Sequence, residues 1–167
     1  FIAGNIYQMM GNNLDALEAY GWAARSMKYR AAAFMEMGGI FIKEEDDQQA
    51  KNYLEKSLKF NQDNLITRHL LAVVYRRTGD EDRSNQLLKE ILKIDPLNHL
   101  AYFELALLRD GKTLEFDQRI NSELKYQTYL ELALHYYKYG LEEEAISILE
   151  SSPDHPMVKG WLAYLTR

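Results

Sequence analysis

Four histidines, two acidic runs and one glycine pair are the residues whose chemistry would matter most if their spacing brought them together. His69, His99, His135 and His155 are scattered and no cysteine is present. Glu131 stands four residues before His135, but the second histidine that a zinc-binding helix needs is missing. The acidic runs at 44–47 and 142–144 could attract a cation. Both fall at a predicted turn into a helix, however, where carboxylates favour the positive end of the helix dipole. Gly38 and Gly39 lie inside a predicted helix rather than in a phosphate-cradling loop, so close packing is their expected role. Without cysteine there is no disulfide or thiolate chemistry. The reading is of a chain that is not an enzyme and has no catalytic residue, no metal and no cofactor. A net charge of −5 argues against nucleic acid, whose phosphates call for a basic stripe. No apolar run reaches the roughly 18 residues that span a bilayer, so no membrane insertion is predicted.

The elements that would position these residues recur. Gly4, Gly38, Ala72 and Ala106 stand in one column at a spacing of 34 residues, a period that marks a repeat array. Residues 65–98 show the unit best: two helices, a tight turn and a terminal proline, with Leu71, Ala72, Tyr75, Gly79, Ser84, Leu88, Ile91 and Pro96 at the marked positions. Ala72 and Ser84 are small because antiparallel helices roughly 8–10 Å apart leave no room at the crossing. Gly79 follows the first helix, where a left-handed residue is least strained without a Cβ, and Asp80 is placed to cap the second. Pro96 cannot continue that helix. Tyr7, Tyr20, Tyr75, Tyr129 and Tyr136 fall in or beside packing columns and are expected in the core.

The units count as 1–30, 31–64, 65–98, 99–125, 126–155 and 156–167, read as a single repeat domain. In the second, Glu45 replaces the turn glycine and Gln62 the proline. After Ala106 the next small residue, Ala133, comes 27 positions on, so 99–125 is expected to be a distorted hairpin with an early end to its first helix and a short second helix at 113–120. Phe1 already lies within a first helix, and 161–167 place Leu162 and Ala163 in the packing columns with no second helix after them. The chain therefore reads as a fragment of a longer array.

The large-small pair, aromatic, turn glycine, small residue and proline of 65–98 resemble the tetratricopeptide repeat. That resemblance implies an all-α, right-handed superhelical solenoid of antiparallel helix pairs, about eleven helices here. It also implies a non-catalytic scaffold whose concave groove, lined by first helices, binds a peptide or helix of a partner protein. Carrying the groove columns over gives Met35, Ile42 and Lys43; His69, Val73, Arg76 and Arg77; Phe103 and Leu107; and Leu130, Leu134, Tyr137 and Lys138, with Asn5, Gln8 and Met9 ahead of them. The lining is apolar with a basic centre, which suits a segment with apolar anchors and one or two acids. Reversing Arg76 and Arg77 is expected to weaken capture and leave folding intact. Family members that clasp acidic chaperone tails use lysine and asparagine in fixed columns, where Met35 and Glu36 stand here. The later repeats are also similar to tetratricopeptide regions that trail carbohydrate-active domains in large bacterial proteins. The alternative is thus a structural spacer docking another domain of such a parent.

Overall fold

Three turns set the shape of the first ninety or so residues. Gly11, Glu45 and Gly79, each 34 apart, have φ of +75°, +60° and +79°. Each turn is closed by the same pair of bonds: the amides of Asn12, Asp46 and Asp80 donate to the carbonyls of Tyr7, Phe41 and Tyr75, and those of Gly11, Glu45 and Gly79 to Gln8, Ile42 and Arg76. Glu45 is the one non-glycine residue with positive φ among the described residues. The turn survives there because the bonds on either side hold it, at the cost of a Cβ in the left-handed region. The next residue, Asn12, Asp46 or Asp80, accepts an amide of the following helix with its side chain.

The computed structural model describes residues 1–109, 116, 120 and 124–166. Among them it is all-α, with ten helices: α1 Ile2–Met9, α2 Asn13–Ala23, α3 Arg30–Lys43, α4 Asp47–Phe60, α5 Leu65–Arg77, α6 Glu81–Ile94, α7 His99–Leu108, α8 Lys125–Lys138, α9 Glu142–Glu150 and α10 Pro156–Leu165. The short helix expected at 113–120 lies outside the described residues. α7 stops at Leu108 after 10 residues, against 13 in α5. The chain divides into two compact units, residues 1–94 and 95–167, where one repeat domain was expected. In a linear array no core is shared end to end, so a division can fall at any turn between repeats.

Residues 1–94 form three hairpins, α1–α2, α3–α4 and α5–α6. The small columns are small for a measurable reason: a Cβ on Gly4 would sit 2.5 Å from the Tyr20 ring, and one on Gly38 would sit 2.7 Å from Leu54 Cγ. In the third hairpin the Ser84 hydroxyl donates to the Ala72 carbonyl at 2.8 Å. α5 packs against α3, α4 and α6, and Thr67 and residues 69–75 are all buried. Tyr20 and Tyr75 are buried as expected, but Tyr7 is 37% exposed.

In residues 95–167, α8 and α9 pair as a hairpin and α10 packs on α9. Leu132, Ala133, Tyr136, Ala145 and Leu149 are buried, and Gly140, at φ +73°, repeats the turn. The core is aromatic: Phe103, Phe116, Tyr129 and Tyr136 meet at centroid distances of 5.3–6.0 Å, mostly edge to face. The Tyr136 hydroxyl donates to the buried Glu104 carboxylate at 2.7 Å.

Candidate binding surface

First-helix positions are sorted by what packs behind them. In residues 1–94, Ile42, His69 and Val73 are each 1% exposed or less, so they present no surface to a partner. The period had placed them on one face of α3 and α5, but α5 is enclosed on several sides and that face is inside. Met35 is half-buried, with its sulfur 3.8 Å from the Asn64 amide nitrogen. Lys43 is exposed at the end of α3, and Arg76 is half-buried.

Arg77 has a structural task. Its Nε lies 3.3 Å from Asp47 Oδ1, and its Nη1 donates at 3.3 Å to the Ile42 carbonyl. It ties the end of α5 to the end of α3 and the start of α4. Burial raises the Asp47 carboxyl above its ordinary range, and the charge of Arg77 works against that rise. Reversing Arg77 would place a carboxylate beside Asp47 and remove a donor from the Ile42 carbonyl, which bears on folding as well as on any groove contact.

The acidic runs also have local partners. Asp46 caps α4, Asp47 meets Arg77 and Glu44 accepts from Asn13 at 2.9 Å. Glu142, Glu143 and Glu144 occupy the first turn of α9. The histidines serve separately. His155 caps α10 and stacks on Tyr126 at 3.7 Å, while His99 meets the edge of Phe116. His135 lies against Tyr136 and Tyr139, and burial, followed by the nearby Lys138 charge, pushes its pKa down to about 4.

In residues 95–167, Phe103 and Leu130 are buried in the aromatic core and Leu107 is half-buried. Leu134 is 41% exposed, Tyr137 is half-buried, and Lys138 is exposed with its Nζ 3.3 Å from the Tyr139 hydroxyl. Tyr137 stands edge-on to Trp161 and Tyr164 of α10, at 6.1 and 6.3 Å. Trp161 and Tyr164, with Met157 and Gly160, line a hollow of about 400 Å³. Sequence reasoning missed these α10 residues because it followed Leu162 and Ala163 in the packing columns. The available signal was a tryptophan and a tyrosine at i and i+3, off those columns.

Residues 31–64 match the family model described as Tetratricopeptide repeat. Among solved structures, MamA is similar at 18% identity, with 89% of this chain and 93% of that chain covered and a TM-score of 0.63. A tetratricopeptide repeat protein from Parabacteroides merdae is similar at 19% identity, with 98% of this chain and 68% of that one covered and a TM-score of 0.61. At such identities the likeness is one of fold. No curated protein matches.

Proposed function

Residues 31–64 match the tetratricopeptide repeat, and from that premise we propose that this chain is a tetratricopeptide-repeat protein, a non-catalytic scaffold that binds a segment of a partner protein through its first-helix faces. The observation that carries the reading is the α8–α10 surface. Met157, Gly160, Trp161 and Tyr164 line a hollow of about 400 Å³, the size that receives one or two large side chains, and Tyr137 and the exposed Leu134 of α8 add to the apolar and aromatic area of this surface. Aromatic anchors of this kind supply most of the affinity of protein interfaces. Lys138 at the rim favours an acid beside the apolar anchor. In residues 1–94 the corresponding positions are the exposed Lys43 and the half-buried Met35 and Arg76.

Selection of a random-peptide phage library on the whole chain tests this. The expected outcome is enrichment of peptides with a large apolar residue near an acid, whose binding falls at least tenfold in Trp161→Ala and Tyr137→Ala. Enriched peptides indifferent to both variants would move the site elsewhere. No enrichment would remove the peptide-binding reading and leave the spacer.

A further inference from the structure

The connection between α2 and α3 departs from the repeat. α2 has 11 residues where α4 and α6 have 14, and the turn at 24–29 is longer than the 61–64 turn that follows α4. Around it stand three large apolar side chains in water: Trp22 at 60%, Met27 at 88% and Phe60 at 55% exposure. Arg30 braces the turn. Its guanidinium donates to the carbonyls of Ala24 and Arg25 at 2.8 and 3.2 Å and lies 5.0 Å from the Phe60 ring, so one side chain joins the turn to the end of α4. Arg25 stacks on Trp22 at 3.9 Å.

The charge here opposes that of the molecule. Arg25 and Lys28 on the turn and Lys59 beside Phe60 are exposed cations, and the nearest carboxylates in sequence are Glu18, one turn back on α2, Glu55, one turn back on α4 and half-buried, and Asp63. The turns within repeats carry more acid than base: exposed Glu44, Glu45 and Asp46 beside Lys43 in the second hairpin, and exposed Glu81 and Asp82 beside Arg83 in the third. Residues 1–94 are therefore polarised along their helices, acidic at the turns within repeats, basic and apolar at the α2–α3 turn.

We propose that this basic, apolar edge docks on the surface of an anionic lipid bilayer. The cations are attracted to lipid phosphates and carboxylates, and the acidic ends are repelled from them. Tryptophan is the side chain that best occupies the headgroup level. Trp22 on α2, Met27 on the turn and Phe60 at the end of α4 come from three separate segments and are each more than half exposed, an arrangement that a fluid surface accepts without a matching recess. The contact is peripheral, since no helix of the described residues is long and apolar enough to cross a membrane.

The test is sedimentation of the whole chain with vesicles of phosphatidylcholine alone and of equal parts phosphatidylcholine and phosphatidylserine. Binding is expected to the mixed vesicles only and to fade with added salt. The double variant Arg25→Glu, Lys28→Glu should lower partitioning by at least about tenfold. Trp22→Ala with Met27→Ala should lower it comparably, and Glu81→Ala should leave it unchanged. In a Trp161→Phe background the emission of Trp22 should shift to the blue on mixed vesicles, a reading that requires no mutation of the edge. No binding to mixed vesicles, binding unchanged in both double variants, or an unshifted Trp22 overturns the proposal. Salt-sensitive self-association without vesicle binding also overturns it and assigns the edge to a second copy of the chain.

Discussion

In residues 1–94 each turn and each second-helix cap recurs 34 residues on. In residues 95–167 the packing columns persist, while much of the capping does not. α2, α4 and α6 begin on Asn12, Asp46 and Asp80, each accepting a backbone amide, whereas α9, the second helix of its hairpin, begins on Leu141 with no side-chain cap bond. The second unit gathers rings and buries Glu104 against Tyr136. The difference teaches that one hairpin plan can be held in two ways. Local satisfaction of backbone groups needs only the neighbouring residues, whereas a ring cluster ties residues far apart in the chain.

The comparison can be broken at its most constrained point first. Ala72→Leu should overpack the α5–α6 crossing, where Ala72 is fully buried, and lower stability by up to about 3 kcal/mol. Hydrogen exchange should place the loss within residues 65–94, and a parental melting profile would mean that the period has been misread. The matching probe of the second unit is His135. Its folded pKa of about 4 lies below its ordinary 6.5, so between those values the unfolded chain takes up the proton that the folded chain resists. Its contribution is full above pH 6.5 and is lost as pH falls toward 4, by about 3 kcal/mol. Urea unfolding at neutral and acidic pH should show a flatter dependence in His135→Gln, and an unchanged slope would refute the burial argument. The smallest effect sharpens the repeat itself. Glu45→Gly should stabilise by about 1 kcal/mol and Gly79→Ala destabilise by a similar amount, because both turns share one left-handed geometry. Thermal melts in which the two variants shift in the same direction would show that the turns are not equivalent.

The helices, the turns and the small columns were legible because each is a local demand repeated at a fixed interval. The left-handed Glu45 follows from register alone, since it stands where Gly11 and Gly79 stand. The candidate surface was legible only in part. Periodicity assigns a face, and it does not say whether a third helix covers that face, as happens to His69 and Val73. Nor could it show Arg77 reaching the carbonyl of Ile42, 35 residues earlier, since that bond exists only once α3, α4 and α5 are packed. Trp161 and Tyr164 escaped because they lie beside the columns.

Asn64 and Asn98 begin α5 and α7 in the same manner, each side chain accepting the amide three residues on at 3.0 Å. Residues 65–98 are thus a hairpin that ends by supplying the start signal of its successor. An in-frame duplication of that coding segment would set Asn98 directly before Leu65 and so keep an asparagine cap at the new junction. The length of such a protein can therefore change by recombination of its gene, one cassette at a time, before any point mutation has adapted the seam.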